Sequence, residues 1–184
     1  MTARRAEIKL QHQKVPKMRQ ILKPQPPIVT ADIYDIHHEA LQVCDLQFRS
    51  FGIWPSFSGP CVTVTTFEDH RPVLRMLERK GDGRVLVVDG GGSLRVGLMG
   101  DRLAAIGVAN GWRGVVINGA IRDSVGIDDL ELGVKALGTT ARRGWAPEIT
   151  GADHPVSFGG ATFCPTNWIY ADRDCIIVAG KELV

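Results

Sequence analysis

Cysteine is scarce in this chain of 184 residues, and its four cysteines are far apart, with no CxxC or CxH spacing: Cys44, Cys61, Cys164 and Cys175. Disulfide frameworks and zinc sites need paired or closely spaced thiols, so we expect neither and interpret these residues as reduced core thiols. The sequence also lacks a run of the roughly 20 apolar residues that a membrane span needs. It has no secretory signal, and we therefore expect a soluble cytoplasmic protein without a membrane partner.

Nucleotide-binding motifs are missing as well. The dinucleotide fingerprint needs G-x-G-x-x-G leading directly into a helix, whereas the run from Gly90 to Arg95 lacks the last glycine. A methyltransferase-type glycine pattern fails because Ser93 stands at a required glycine position, and the P-loop is absent. We interpret the glycine run as a tight turn that permits close backbone approach.

Histidine and tryptophan do not form recognisable clusters. The five histidines show no HxH or HExxH spacing, so surface or core roles are favoured over metal ligation: His12, His37, His38, His70 and His154. The tryptophans are scattered, which favours core or interface anchors over a platform for stacking bases: Trp54, Trp112, Trp145 and Trp168. We expect no direct nucleic-acid partner.

Acidic residues are nearly absent from the first 30 positions, which carry seven basic residues against Glu7 alone. This start has a net charge of +6, and the remainder carries −4 within a total of +2. Organelle targeting and nucleic-acid binding are alternatives, but the low Ser content and the excess of Lys over Arg favour a docking or solvated arm. The proline-rich segment 23–27 is typical of an extended connector. We predict an arm and connector over 1–29 and a folded domain over 30–184.

Composition and apolar spacing predict one compact α/β domain. The apolar fraction of 44% is ordinary for a chain that buries one core, and 21 glycines indicate many tight turns. We predict a helix from Thr30, as its N-cap, through Leu41, a strand over 61–65 and a helix over 72–80.

The middle of the sequence predicts a strand, helix, strand unit with burial on both faces. Its parts are a strand over 84–89, a helix from Asp101 that stops at Gly111, and a strand over 115–118. The C-terminal third predicts short strands with little helix between them, over 134–137, 156–158, 161–163 and 176–178.

Asp101, Arg122 and Asp123 are the candidate site residues. Ligands of α/β units collect beyond the carboxyl ends of strands, where both segments are expected. Arg offers a bidentate fork for a carboxylate, one Asp a hard oxygen ligand for a divalent cation, and a second Asp a group that moves protons. The helix start would present backbone N–H groups to a substrate carboxylate, from Gly100, Asp101, Arg102 and Leu103. Taken singly, the two aspartates are equally compatible with helix caps, and Arg122 with a surface ion pair.

These residues carry a resemblance to a known family. The stretch from Gly83 to Leu94, with Gly100-Asp101, Asn110-Gly111-Trp112 and the segment 119–123, resembles the family named for regulator of ribonuclease activity A. Further matches are the segments 44–49, 67–69 and 158–163, so the similarity spans about residues 30–179. That family includes metal-dependent 4-hydroxy-4-methyl-2-oxoglutarate aldolases, which also decarboxylate oxaloacetate.

The resemblance implies a compact α/β domain of the swivelling phosphohistidine type, with mixed sheets and flanking helices. It further implies a ring-shaped homotrimer with active sites between subunits. The aldolase members are marked by an Asp, twenty intervening residues and then Arg-Asp, and here Asp101 and Arg122-Asp123 complete that motif. The resemblance therefore favours a class II, metal-dependent aldolase and oxaloacetate decarboxylase over a purely regulatory protein.

Residue roles also follow from the resemblance. Asp123 would hold Mg²⁺ or Mn²⁺, largely through water, and Arg122 would contact a small 2-oxo dicarboxylate substrate. The backbone of residues 100–103 would cradle the carboxylate next to the 2-oxo group, and Asp101 would orient a metal-bound water that moves the proton. Both reactions leave a pyruvate enolate, whose negative charge a metal and an Arg stabilise.

The sequence departs from the aldolase members in three places. Those members extend further at the C-terminus and supply an acidic residue from a neighbouring subunit, where this chain offers Glu182. A basic residue in the loop before the late strands corresponds to Arg142 or Arg143, and the basic arm is not a family feature. The alternative function is a protein-binding regulator of an RNA-degrading ribonuclease with a vestigial site. A methyltransferase is disfavoured by the glycine pattern.

Overall fold

The computed structural model describes residues 22–144 and 150–184. These residues form four α-helices, at Thr30–His37 (α1), Arg71–Leu77 (α2), Asp101–Ala109 (α3) and Ser124–Asp128 (α4). They also form eleven strands, at Leu41–Cys44 (β1), Arg49–Phe51 (β2), Phe57–Thr66 (β3), Val85–Asp89 (β4), Gly114–Ile121 (β5), Gly133–Thr139 (β6), Thr150–Ala152 (β7), Val156–Phe158 (β8), Ala161–Phe163 (β9), Trp168–Ala171 (β10) and Ile176–Ala179 (β11). The predicted basic arm falls almost wholly outside the described residues.

Nine of these strands form one curled, mixed sheet in the order β1-β11-β10-β3-β4-β5-β6-β2, with β7 beside β3. The neighbours β3, β4, β5 and β6 are parallel, and the flanking strands are antiparallel. Strands β8 and β9 form a separate hairpin. The predicted compact α/β fold with mixed sheets is confirmed.

The parallel strands are buried on both faces because successive side chains point to opposite sides of a strand. On β4, Leu86 and Val88 pack beneath helices α2 and α3, whereas Val85 and Val87 face the core that contains Phe163 of the hairpin. The predicted strand, helix, strand unit is confirmed as β4, α3 and β5, and β5 extends beyond its predicted end to Ile121.

Two glycines allow the sheet to curl over its own parallel strands. A Cβ at Gly114 would lie 2.4 Å from the Phe57 ring, and one at Gly133 would lie 2.0 Å from it. Phe57 can therefore pack directly on the backbone at the amino ends of β5 and β6. On the same side, the buried Lys135 of β6 donates hydrogen bonds to the Ser50 hydroxyl and to the Asp172 carbonyl, which links β6 to the β10–β11 turn.

The predicted N-terminal helix is too long. Helix α1 ends at His37, a 3₁₀ turn covers His38–Ala40, and Leu41 begins strand β1, which pairs with β11. Thr30 is not the N-cap, since Val29 occupies that position. Instead, the backbone N–H and the hydroxyl of Thr30 donate to the Asp172 carboxylate, at 2.7 and 2.9 Å.

The proline-rich connector packs along the body, and its described residues before α1 belong to no helix or strand. Gln25 accepts a hydrogen bond from the Ser58 backbone N–H at 2.9 Å, at the amino end of β3. Arg113 lies just before β5, with its guanidinium carbon 4.7 Å from the Trp54 ring centroid. Its Nη1 donates to the Lys23 carbonyl at 2.6 Å. The connector therefore lies at the amino ends of β3 and β5.

Cysteines and membrane spans can be compared directly with the predictions. Cys44 and Cys61 are buried, which agrees with core roles, and Cys164 and Cys175 are partly buried. Burial raises the pKa of the Cys61 thiol to about 12. Within residues 22–144 and 150–184, no helix has the length and apolar character to cross a membrane.

Candidate functional site

A pocket of about 330 Å³ opens beside the carboxyl end of β5 and the first turn of α3. It is lined by every residue predicted for the site: Gly100, Asp101, Arg102, Leu103, Arg122 and Asp123. Four other lining residues were not predicted for the site: His70, Leu74, Gly97 and Ile106. The last lining residue is Arg143, which the sequence offered as an alternative to Arg142. Residues from four separate segments thus meet at one opening.

Backbone hydrogen bonds hold the two halves of the motif side by side. The N–H of Arg122 donates to the Met99 carbonyl at 2.9 Å, and that of Leu98 donates to the Ala120 carbonyl at 2.9 Å. The segment 97–99 therefore runs beside the end of β5 and leads directly into α3. Asp101 and Arg122, which are separated by twenty residues in the sequence, therefore line the same pocket.

Two glycines form the floor beneath the Arg122-Asp123 pair. A Cβ at Gly97 would lie 3.0 Å from the Cβ and Cγ atoms of Arg122, and one at Gly100 would lie 2.7 Å from Oδ2 of Asp123. Both distances are shorter than ordinary van der Waals contact, so a larger residue at either position would displace these side chains. Glycine is required here for close approach rather than for an unusual backbone angle.

Arg122 and Asp123 are paired with each other. Nε of Arg122 lies 2.9 Å from Oδ2 of Asp123, and the two side chains are 31% and 42% exposed. Asp123 has a left-handed backbone, with φ of 53° and ψ of 41°, and it precedes α4 without a side-chain capping hydrogen bond. An ion pair this exposed contributes little to stability. The ion pair instead orients the two side chains at the pocket, because each one fixes the direction of the other.

Asp101 lies at the first turn of α3, where the helix ladder begins with the Ala104 N–H donating to the Gly100 carbonyl at 3.0 Å. Backbone N–H groups before Ala104 have no intrahelical acceptor and favour negative charge. Oδ1 of Asp101 accepts the Arg102 N–H at 2.6 Å. The predicted cradle over residues 100–103 therefore has one of its donors already engaged.

His70 and Arg143 face each other across the pocket wall, with Nη2 of Arg143 3.2 Å from Nε2 of His70. A guanidinium only donates, so Nε2 accepts and the proton of the neutral ring is on Nδ1. Burial, and then the Arg143 charge, lowers the pKa of His70, while a hydrogen bond with the Gly144 backbone acts in the opposite direction. His70 directly follows the matched segment 67–69, which was the signal available in the sequence.

The two candidate basic residues of this loop differ in position. The side chain of Arg143 lines the pocket, whereas Arg142 approaches it through its carbonyl, which accepts the Gly97 N–H at 2.9 Å. At the C-terminus, the N–H groups of Leu183 and Val184 donate to the Tyr170 hydroxyl at 2.6 and 3.2 Å. Glu182 is not among the residues lining this pocket within its own chain.

The donor set fits a hard divalent cation held by few protein atoms. Among the described residues, no group of three or more His, Cys, Asp or Glu side chains is placed to bind a metal. Mg²⁺ commonly binds through one or two carboxylates, with water and substrate oxygens completing its octahedron. The exposed carboxylate of Asp123, with Asp101 in the same pocket, matches that requirement.

The glycine run is a turn, as interpreted from the sequence. Gly91 and Gly92 have positive φ angles of 65° and 71°, and the Ser93 N–H lies 3.4 Å from the Gly90 carbonyl. The next helix begins only at Asp101, so the run does not lead into a helix N-terminus. A dinucleotide site needs that direct junction.

Comparison with known proteins identifies the family of this chain. The family model described as RraA-like, Aldolase/RraA, matches residues 30–178. The chain belongs to the RraA-like family. A relative from Alkalilimnicola ehrlichii, named "Putative 4-hydroxy-4-methyl-2-oxoglutarate aldolase", is 45% identical over 157 residues, covering 85% of this chain and 98% of the relative. A relative of the same name from Laribacter hongkongensis is 44% identical over 156 residues, covering 85% and 98%.

Two solved structures share the fold of this chain. A protein from Geobacillus kaustophilus, described as an S-adenosylmethionine: 2-dimethylmenaquinone methyltransferase, superimposes with a TM-score of 0.82 at 45% identity, covering 85% of this chain and 97% of that chain. The RNA-processing inhibitor RraA from Thermus thermophilis gives a TM-score of 0.82 at 33% identity, covering 86% and 96%. Relatives of the RraA-like fold thus carry three different functional descriptions, and the choice among them depends on the site.

Proposed function

We propose that this protein is a divalent-metal-dependent lyase that cleaves 4-hydroxy-4-methyl-2-oxoglutarate and decarboxylates oxaloacetate. The observation that carries the proposal is the convergence of Asp101, Arg122 and Asp123 on one pocket at a helix N-terminus. The pocket is lined by three arginines and two aspartates, so its formal charge favours a small anion. The names of the two aldolase relatives support the same reaction class.

Substrate would bind with its 2-oxo acid end between Arg122 and the first turn of α3. The N–H groups of Asp101 and Leu103 precede the helix ladder and face the pocket end of α3, where a carboxylate is favoured. Arg122 would donate to the 2-oxo oxygen, where negative charge develops as the reaction proceeds. Leu74, Leu103 and Ile106 supply an apolar wall that limits water around the reacting carbons.

The aldol cleavage needs one proton transfer at each end of the breaking bond. A proton leaves the C4 hydroxyl, the C3–C4 bond breaks, and its electron pair moves onto C3 and the 2-oxo oxygen, giving pyruvate and a pyruvate enolate. Protonation of C3 then gives a second pyruvate. Asp101 would hold or move that proton, directly or through water, because its carboxylate lies in the same pocket as Arg122.

Decarboxylation uses the same electron flow without the first proton transfer. The C3–C4 bond of oxaloacetate breaks, CO₂ leaves, and the electron pair again forms a pyruvate enolate that is protonated at C3. When bound at Asp123, a divalent cation would supply a Lewis acid that polarises the 2-oxo group. Arg122 would stabilise the same developing charge, so one electrostatic arrangement serves both reactions.

Pyruvate release, coupled to lactate dehydrogenase, tests the proposal with each substrate in turn. Purified protein with Mg²⁺ or Mn²⁺ should release pyruvate, EDTA should abolish the release, and added metal should restore it. Asp123→Ala should remove the metal dependence and reduce the rate to background. Equal rates with and without EDTA for both substrates would rule out the metal-dependent lyase.

The proposal includes a homotrimer whose sites lie between subunits, as the resemblance implies. Large apolar side chains are exposed beside the site elements, notably Val125 of α4 at 81% and Leu94 at 53%, which supports a partner on this side. Sedimentation should give about three times the 20.1 kDa chain mass. A fully active monomer would refute this part of the proposal.

A protein-binding regulator is the second candidate, because the RNA-processing inhibitor from Thermus thermophilis shares the fold at 33% identity. Inhibition would then depend on the surface of the protein rather than on the pocket. Asp123→Ala should keep full inhibition of an RNA-degrading ribonuclease if this candidate is correct. Ribonuclease activity that is unaffected by a large excess of the wild-type protein would exclude it.

A further inference from the structure

The pocket contains a second guanidinium, Arg143, whose orientation is set by a histidine. Nη2 of Arg143 lies 3.2 Å from Nε2 of His70, and His70 is only 8% exposed. The ring is fixed by burial at the start of α2, so it offers a stationary acceptor to a long side chain that is otherwise at the surface. Holding one donor of a guanidinium reduces the side-chain freedom that ligand binding must remove.

The two pocket arginines approach from opposite sides of a shared floor. Gly97 forms parallel bridges to Ala120 on one side and to Arg143 on the other. Neighbouring strands lie about 4.8 Å apart, so the two flanking backbones are separated by roughly 10 Å. Arg122 reaches in from the β5 side, over Gly97, and Arg143 from the opposite side.

We infer that His70 is a positioning residue that holds Arg143 over the pocket, where Arg143 binds the second carboxylate of a dicarboxylate ligand. The inference rests on the proposed function for its choice of 2-oxo dicarboxylates. Two guanidiniums across one floor match a ligand with an anionic group at each end. A neutral ring suits this role, because it accepts from Arg143 without adding the negative charge that a carboxylate acceptor would bring.

The inference separates two ligands of the same length. 2-Oxoglutarate and 2-oxopentanoate both have five carbons and a 2-oxo acid end, and only the first has a distal carboxylate. The wild-type protein should bind 2-oxoglutarate more tightly in the presence of Mg²⁺, as measured by calorimetry. The ratio of the two dissociation constants reports the distal contact and cancels effects on the 2-oxo acid end.

Four single variants of the full chain test the assignment. Arg143→Met should reduce the affinity ratio by about tenfold, as expected for losing one charge-assisted contact, and His70→Phe should reduce it by about fivefold. His70→Gln retains an acceptor and should restore most of the ratio. Arg142→Met removes the same charge one residue away and should leave the ratio within about twofold, because Arg142 does not line the pocket.

A double variant distinguishes positioning from independent binding. If His70 acts through Arg143, then His70→Phe combined with Arg143→Met should match Arg143→Met alone. Additive losses, equal losses for both ligands, or an unchanged ratio in His70→Phe would each overturn the inference. An Arg142→Met effect as large as that of Arg143→Met would also overturn it, because general charge would then explain the preference.

Failure of the inference can be told from failure of the proposed lyase. The preference for 2-oxoglutarate is measured by binding and does not require turnover. A wild-type protein that releases no pyruvate but keeps a preference dependent on His70 and Arg143 would refute the lyase and retain the inference. Normal pyruvate release, with a ratio of dissociation constants that does not depend on His70 or Arg143, would refute the inference and retain the lyase.

Discussion

Arg122 reaches the pocket with its guanidinium already directed by Asp123, and its backbone is fixed by the Met99 carbonyl. Removing the guanidinium should affect the transition state more than the bound substrate, because the enolate charge develops only as the bond breaks. We expect Arg122→Ala to lose about 2 to 4 kcal/mol of transition-state stabilisation with oxaloacetate. The loss should appear as a lower kcat/KM, caused mostly by a lower kcat. Steady-state kinetics on a variant with an unchanged melting temperature measures this, and wild-type turnover would show that the site is misassigned.

Gly100 allows a direct test of the pocket floor. A Cβ there would lie 2.7 Å from Oδ2 of Asp123, the movable end of an exposed side chain, so the carboxylate should shift while the fold is kept. We expect Gly100→Ala to weaken apparent Mg²⁺ affinity by about tenfold, as for loss of support around a metal ligand. Mg²⁺ titration of activity measures the effect. Gly180→Ala is the matched control, since nothing lies within 4 Å of its added Cβ.

His70 should make folding stability depend on pH. Its pKa in the folded protein is lowered from 6.5 by burial and by Arg143, with Asp69 raising it and Arg71 lowering it further. The unfolded chain therefore takes up a proton first, so the free energy of unfolding should fall as pH drops below about 6.5 towards the folded-state pKa. The free energy of unfolding, measured by urea titration at several pH values between about 7.5 and 5, should depend less steeply on pH in His70→Phe, because the variant lacks this proton uptake. An identical slope in the variant would contradict this assignment.

Helix α1 depends on a contact from the opposite end of the chain. Asp172 accepts from the Thr30 N–H and hydroxyl and from the N–H groups of Asp174 and Cys175. Burial would raise the pKa of Asp172, but the hydrogen bonds to Thr30, Cys175 and Asp174 outweigh it and lower the pKa. This contribution to stability is present above the unfolded pKa of 3.8 and is lost as pH falls through the lower folded-state value.

We expect Asp172→Ala to cost about 3 kcal/mol, because it leaves four donors without their charged acceptor. Denaturant unfolding measures the loss, and hydrogen exchange should show earlier opening of α1. Asp174→Ala is the control, since only the backbone N–H of Asp174 takes part in the network. Equal losses in the two variants would show that the carboxylate of Asp172 does not hold the helix.

Helices and strands with a local sequence pattern lie where the sequence predicts them. The apolar run of β4 and the Asp101 helix start are each visible within about ten residues, and their lengths agree with the structure to within a few positions. The strands β1, β2, β7 and β10 were missed, and each of them pairs with a strand that is distant in the sequence. Leu41 is an example: its spacing in the sequence predicts a helix, but in the structure it belongs to β1 and pairs with Ala179.

The site was predictable to the extent that it is contiguous in sequence. Asp101, Arg122 and Asp123 belong to one motif, and β5 joins the motif to the pocket. His70 and Leu74 reach the same pocket from helix α2 and the residue before it, and the matched segment 67–69 before His70 does not mark either residue as the pocket wall. Their assignment requires the packing of α2 against α3, which the sequence alone does not specify.

At the scale of the whole molecule, β3 joins the two parts of the sheet. Residues 57–60 pair with β10, and residues 61–65 pair with β4. Neither part can separate without breaking a ladder within one ten-residue strand, so we expect a single cooperative unfolding transition. Calorimetric and van't Hoff enthalpies should agree in scanning calorimetry. Two resolved transitions would show that the halves unfold independently.

The contact between Arg113 and Lys23 holds the described start of the connector next to the amino end of β5. Arg113 precedes β5, and the pocket lies past the far end of that eight-residue strand, roughly 26 Å away at 3.3 Å per residue. A partner that binds the connector beside Lys23 would therefore lie on the side of the sheet remote from the pocket and would leave the pocket opening uncovered.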